Sequence, residues 1–252
     1  MINKNFHFIL LVIIFFDIFF IKNINSKNNA VDSISHHEKK EINYLLSQKI
    51  SELNVTNRNI TKILKILERF DIKNSPKKIV VNGKIKYTYR KLQNEPPKTI
   101  EEIERLIKNP IKTRKYEVFI KKALLTLLSN EIKILIKDLP ESEPSGQWIY
   151  KDKMLIINEK ILREGTIKFS YLLSHEMIHI AQSCKGGSFG SYPSLLGLDL
   201  KKPKNYYYKY LNNEIYKDLK KNEIELEIEA YGNQFDVSQT MNAFKYYCLK
   251  QK

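Results

Sequence analysis

Two histidines four residues apart, His175 and His179, constrain the fold of this chain more than any other feature. In a helix, residues at this spacing lie on one face about one turn apart, so both imidazoles can reach a single metal ion. Glu176 follows the first histidine, where the His-Glu-x-x-His pattern places the carboxylate that takes a proton from metal-bound water. The pattern therefore predicts a helix that carries a metal site.

The residues around this pattern indicate that its helix is buried. Between Phe169 and Cys184 the only formally charged residue is Glu176. The apolar residues cover nearly every side of the helix: Phe169, Leu172, Leu173, Met177, Ile178, Ile180 and Ala181. A buried carboxylate is costly unless it is paired or ligated. The pattern therefore favours metal binding over a core helix with two hydrogen-bonded histidines.

The third ligand has to come from another residue type. The chain has five histidines and none follows His179, which excludes a downstream histidine ligand. Cys184 lies only five residues past His179 and could bind the same ion only if the helix ended early. A downstream carboxylate is the natural choice, because two histidines and a glutamate leave one open position for water.

The segment 222–235 supplies the candidate carboxylates. At about 100° per residue, Glu227 falls between two apolar stripes of the predicted helix and is the carboxylate expected to be buried. Glu223 lies one turn earlier, nearer the edge, and is the alternative ligand. Glu225 and Glu229 fall on a polar face and are expected to be solvated.

The residues His175 to His179, followed by Glu227 to Ala230, resemble the gluzincin metallopeptidases. The resemblance implies a zinc ion held by His175, His179 and Glu227, and a peptide or protein substrate. Glu176 would take a proton from the zinc-bound water and pass it to the leaving amine. Some gluzincins have an acidic residue four positions after the ligand glutamate. This chain has Tyr231 there, which makes Tyr231 a candidate for transition-state stabilisation or for support of a ligand.

The resemblance to metallopeptidases covers roughly residues 144–235 and is specific at the metal site. Residues 146–182 are similar to the small mitochondrial peptidase family that helps to assemble ATP synthase, and to His-Glu-x-x-His proteins of cyanobacteria and plastids. This resemblance keeps open a zinc-binding assembly factor or pseudoenzyme that does not cleave peptides.

The net charge of +15 adds a further alternative, a basic protein that binds nucleic acid or a membrane surface. The segment 201–210 mixes lysines with tyrosines and could meet bases or anionic lipid headgroups. The whole chain, however, is rich in Lys, Asn, Ile and Tyr, as in proteins from AT-rich genomes. We therefore disfavour nucleic acid as a partner and keep an anionic membrane surface as a candidate.

The N-terminus predicts a targeting leader. Residues 1–21 contain the unbroken apolar run 8–16 and are interpreted as a signal peptide or signal anchor. Residues 22–37 begin with a basic stretch that lacks acidic residues and resembles a transit segment. Together they predict that the chain enters the secretory pathway and continues to a relict plastid, the apicoplast. Secretion and membrane anchoring are the alternatives.

The remaining pattern predicts an α+β fold, mostly helical and zincin-like, with a small β-sheet or hairpin before the His-Glu-x-x-His helix. Residues 38–98 form a predicted N-terminal helical region, and residues 99–252 the catalytic domain. A hairpin is expected around Asn82-Gly83, and a helix capped by Thr99 after it.

Three further expectations concern residues 113–248. A long helix is predicted from Thr113 to Lys137, and two strands at residues 147–150 and 154–157. An extended substrate could add to the edge of such strands. The sequence leaves open whether Cys184 and Cys248 form a disulfide.

Overall fold

The computed structural model describes residues 18–24, 52–91, 96–140, 142–212 and 216–249. Its strands are β1 (Ile18–Ile24), β2 (Glu52–Asn54), β3 (Lys77–Val81), β4 (Lys84–Lys91), β5 (Lys133–Lys137), β6 (Gly146–Ile149) and β7 (Met154–Asn158). Its α-helices are α1 (Ile60–Asn74), α2 (Ile100–Lys108), α3 (Arg114–Ser129), α4 (Thr166–Lys185), α5 (Tyr208–Leu211), α6 (Lys221–Asn233) and α7 (Val237–Phe244). The α+β class predicted from the sequence is confirmed.

Most of the predicted leader lies outside the described residues. Of residues 1–37, the structure describes only β1, which pairs antiparallel with β4. Among the helices of the described ranges, none combines the length and the apolar character needed to cross a bilayer.

A four-stranded sheet in the order β2-β5-β7-β6 supports the His-Glu-x-x-His helix. The central strands β5 and β7 run parallel, whereas β2 and β6 pair antiparallel with their neighbours. The predicted pair of strands before the helix is confirmed, with Trp148 opposite Leu155. Both of these side chains are fully buried, so β6 and β7 contribute directly to the core.

The prediction of one helix from Thr113 to Lys137 is wrong, because the chain leaves the helix after Ser129. Glu131 adopts a positive φ of 61°. The N–H of Ile132 then donates to the carbonyl of Leu127, and that of Glu131 to the carbonyl of Leu128. These two bonds form a Schellman C-cap, which ends the helix. Residues 133–137 continue as β5 rather than as a further helical turn.

A smaller unit is built from helix α2 and a three-stranded sheet in the order β1-β4-β3. The expected hairpin turns at Asn82-Gly83, and Thr99 caps α2 in a capping box with Glu102, as the sequence predicts. One face carries a small core of its own, formed by Ile85, Tyr87, Tyr89 and Ile103. The unit is tied to the main body by Arg90, which binds the Glu164 carboxylate and donates to the carbonyl of Arg163.

The main core extends across the predicted boundary at residue 98. Ile63 and Leu67 of α1 belong to the same buried cluster as Phe169 of α4 and Phe244 of α7. Residues 52–74 therefore pack with the predicted catalytic domain, and α4 passes through the centre of their shared core.

The N-terminus of α4 receives its cap from α1. Asp71 accepts a hydrogen bond of 2.8 Å from the backbone N of Thr166, the first residue of α4. A carboxylate there satisfies one of the free N–H groups and complements the helix dipole. Gly165 precedes it at φ 86°, and a Cβ at this position would lie 2.2 Å from the Asp71 Oδ1 atom.

A disulfide anchors the other end of α4. Cys184, in its last turn, is bonded to Cys248 in the π-helical segment Lys245–Leu249. Both cysteines are buried. The bridge resolves the question that the sequence leaves open, and it removes Cys184 from the candidate metal ligands.

Candidate metal centre

Three side chains from two helices converge where the sequence predicts a metal site. His175 and His179 extend from α4, and Glu227 from α6. The two Nε2 atoms lie 2.9 Å apart. The Glu227 oxygens lie 3.3 Å from Nε2 of His175 and 3.7 Å from Nε2 of His179. One ligand atom from each residue falls within 4.8 Å of the others, so the three side chains lie close enough to hold one metal ion.

The helix positions explain why Glu227, rather than Glu223, enters this cluster. Glu227 points between α6 and α4 and is 1 % exposed. Glu223 lies one turn earlier, is partly exposed, and accepts a hydrogen bond of 2.7 Å from the backbone N of Lys220. It therefore caps its own helix, and the structure does not bring it to the histidines.

The electrostatics of the three ligands suit a cation. Within the described residues, neither oxygen of Glu227 has a hydrogen-bond partner, although both are buried. Burial works to raise the pKa of Glu227, but the neighbouring histidines outweigh it, and the pKa lies below its usual value. Burial lowers the pKa of His175 to about 4, so this imidazole is neutral near pH 7. A neutral imidazole at His175 and an ionised carboxylate at Glu227 are forms that bind metals.

Glu176 lies beside this cluster and is fully buried. Across the described chain, its two oxygens have no hydrogen-bond partner. Burial, reinforced by the nearby charge of Glu227, raises the pKa of Glu176 well above 4.5, and the Trp148 backbone only partly opposes the rise. A carboxyl group with a raised pKa and no partner is poised to exchange a proton with a substrate or a water molecule.

The expectation that Glu229 is solvated is wrong. Glu229 is 5 % exposed and accepts hydrogen bonds from the backbone N atoms of Leu196, Gly197 and Leu198. The helical wheel cannot predict this arrangement, because the partners come from a segment that crosses the polar face of α6. Glu225, in contrast, remains partly exposed and pairs with Lys204.

Gln182 lies near the site, and the sequence interpretation does not identify it as a functional residue. Its side chain lies between His179 and Glu229 and contacts both through hydrogen bonds. Its position three residues after His179, on the same face of α4, is the signal in the sequence that could have identified it.

Tyr231, a candidate from the sequence for support of a metal ligand, lies against His175. Its ring meets that of His175 edge to face, with 4.6 Å between centroids. Its hydroxyl lies 2.8 Å from that of Tyr216, a buried residue that the sequence interpretation does not name. Burial raises the pKa of Tyr216 well above 10, which keeps this hydroxyl protonated and able to donate.

The lysine- and tyrosine-rich segment 201–210 contacts the rest of the protein. Lys201 pairs with Asp236 at 3.0 Å, and Lys204 pairs with Glu225. Lys209 lies over the rings of Tyr206 and Tyr210.

Comparison with known proteins adds no relative: no family model matches the chain, and no curated protein or solved structure is significantly similar to it.

Proposed function

We propose that this protein is a zinc-dependent peptide hydrolase. The observation that carries the proposal is a buried cluster of two histidines and Glu227 next to a second buried carboxyl, that of Glu176, which has no partner among the described residues. Burying two carboxyl groups side by side is costly. A bound cation would offset that cost at Glu227, and a proton-transfer role explains why Glu176 stays unpaired.

The donor set supports zinc as the ion. Two imidazole nitrogens and one carboxylate, with one position left open, are typical of catalytic zinc sites. Zinc held by His175, His179 and Glu227 would lower the pKa of a bound water to about 7 and polarise a carbonyl.

Glu176 performs the proton transfers in this proposal. It takes a proton from the attacking water and returns it to the nitrogen of the leaving amine. Its raised pKa makes the Glu176 carboxylate a stronger proton acceptor than an ordinary glutamate.

A peptide substrate is supported by the position of β6. This strand lies at the edge of the sheet formed by the described strands, and a Cβ on its first residue, Gly146, would lie 2.6 Å from Oε1 of Glu176. An extended peptide that adds to this edge would run past Glu176, with its backbone fixed by strand hydrogen bonds.

A non-catalytic zinc-binding protein is the second candidate. The observation that favours it is the enclosure of the site, since His175, Glu176 and His179 are 0 % exposed and Glu227 is 1 % exposed. A site that serves only to hold the fold or a partner needs no access for substrate, whereas a hydrolase must open.

Glu176→Gln separates these two functions. The glutamine side chain keeps the size and hydrogen-bonding capacity of Glu176 but cannot act as a base. The three metal ligands are left unchanged. We expect full zinc content and hydrolysis of a broad peptide library that is lower by about 10²–10⁴-fold. Glu225→Gln, the same change on the partly exposed face of α6, is the control and should keep full activity. Zinc-loaded wild-type protein that cleaves no peptide would favour the non-catalytic candidate.

A further inference from the structure

We propose that Gln182 and Glu229 set the tautomer of His179, so that its Nε2 atom presents a lone pair to the metal position. The two residues act as positioning residues through hydrogen bonds. The functional role of this tautomer rests on the proposed metal site. The tautomer itself can be measured in the metal-free protein.

The orientation of the Gln182 amide follows from its partners. One end of the amide lies 3.1 Å from the carbonyl oxygen of Leu226 and 2.9 Å from Oε2 of Glu229. The backbone carbonyl of Leu226 only accepts hydrogen bonds, so the NH₂ group has to occupy this end. The amide oxygen is then directed at Nδ1 of His179, at a distance of 2.8 Å.

This orientation determines where His179 carries its proton. An amide oxygen accepts hydrogen bonds and cannot donate one, so Nδ1 of His179 has to donate. A neutral imidazole has only one N–H, which leaves Nε2 with a free lone pair. That atom faces His175 Nε2 at 2.9 Å and Glu227 Oε1 at 3.7 Å, at the centre of the ligand cluster.

Glu229 is held firmly enough to orient the amide. Its Oε1 accepts from the backbone N atoms of Gly197 at 2.7 Å and Leu198 at 3.0 Å. Its Oε2 accepts from the backbone N of Leu196 at 2.8 Å, in addition to the Gln182 amide. Four N–H donors therefore surround one buried carboxylate. The segment 196–198 is thereby connected, through Glu229 and Gln182, to a ligand histidine.

The backbone of Gln182 strengthens the connection between α4 and the segment 196–198. Its carbonyl oxygen accepts from the backbone N of Ser194 at 2.9 Å. The segment 194–198 is therefore attached to α4 at the Gln182 backbone and to α6 at the Glu229 side chain. Removal of a residue that hydrogen-bonds a metal ligand typically weakens metal binding by about 10–100-fold.

The first test is the tautomer of His179 in the wild-type protein. In metal-free protein near pH 7.5, the imidazole ¹⁵N shifts of His179 should show a protonated Nδ1 and an unprotonated Nε2. A protonated Nε2 would overturn the proposal without any variant.

The second test uses variants of the two positioning residues. Gln182→Met has a similar length but no hydrogen bond to His179, and it should give mixed tautomers and bind Zn²⁺ about 10–100-fold more weakly in chelator competition. Glu229→Gln should weaken Zn²⁺ binding in the same direction and speed hydrogen exchange of the amides of residues 196–198. The matched control is Glu225→Gln, which changes the same charge on the same helix and should leave the tautomer and the affinity unchanged.

The outcomes separate this inference from the proposed function. Loss of thermal stability in Gln182→Met with an unchanged tautomer and unchanged Zn²⁺ affinity would overturn the positioning role and leave a packing role. Wild-type protein with the expected tautomer and tight Zn²⁺ binding, but without peptide hydrolysis, would contradict the proposed enzyme and still support the inference.

Discussion

Gly146 leaves room for the carboxylate of Glu176: a Cβ on Gly146 would lie 2.6 Å from Oε1 and 3.1 Å from Cδ of that residue. The same Cβ would lie 2.8 Å from the side chain of Leu172, a residue of the main buried core. The first residue of β6, Gly146, therefore has to be small for Glu176 to keep its position.

Gly146→Ala should accordingly displace Glu176 and leave the three ligands in place. A shift of about 1 Å in a catalytic group can cost roughly 10² in rate, so we expect hydrolysis to fall by about that factor with zinc content unchanged. Gly190→Ala is the control, because the nearest atom to a Cβ there is at 3.7 Å. Full activity in Gly146→Ala would show that the position of Glu176 does not limit the reaction.

Glu176 should also destabilise the metal-free protein at neutral pH. Its pKa in the folded state is raised well above 4.5, first by burial and then by Glu227. The folded state thus keeps a proton that the unfolded chain releases, and stability is lost as the pH rises above about 4.5. Glu176→Gln cannot ionise. It should therefore be more stable than wild type at pH 7, by up to about 1.4 kcal/mol for each pH unit between 4.5 and the folded pKa.

Urea unfolding of both metal-free proteins between about pH 4.5 and about pH 7.5 measures this difference. The lowered pKa of His175, about 4, acts in the opposite direction, because its contribution to stability is lost as the pH falls below about 6.5. That contribution is common to both proteins and cancels in the comparison. A stability difference that does not grow with pH would contradict the raised pKa of Glu176.

The disulfide should stabilise the fold by closing a long loop. Cys184 and Cys248 are separated by 64 residues, and bridges of this kind typically contribute about 2–4 kcal/mol. Cys184→Ser, Cys248→Ser and the double variant should lose the same free energy of unfolding, because each removes the same bond. Wild-type protein made under oxidising conditions should show no reactive thiol. Additive losses in the double variant would contradict the bridge.

The features that depend on residues close together in the chain could be predicted from the sequence. His175 and His179 share a face because they are four residues apart, and Glu227 is buried because it falls between two apolar stripes. The hairpin at Asn82-Gly83 follows from its turn residues. In each case the determining partners lie close together in the chain.

The features that depend on residues far apart in the chain could not be predicted from the sequence. The burial of Glu229 depends on the segment 196–198, and the cap of α4 on Asp71, which lies 95 residues before Thr166. The end of α3 depends on a positive φ at Glu131, a residue type that rarely marks a C-cap. Periodicity reports which face of a helix is apolar, but it does not report what covers the polar face.

Zinc content of the purified protein tests the central claim most directly, with Glu227→Gln compared against Glu223→Gln. The two variants make the same change one helical turn apart, one at the ligand cluster and the other at the exposed cap of α6. We predict about one Zn²⁺ per chain in wild type and in Glu223→Gln, and strongly reduced zinc in Glu227→Gln. Full zinc retention in Glu227→Gln, with loss in Glu223→Gln, would contradict the assignment of Glu227 as a ligand.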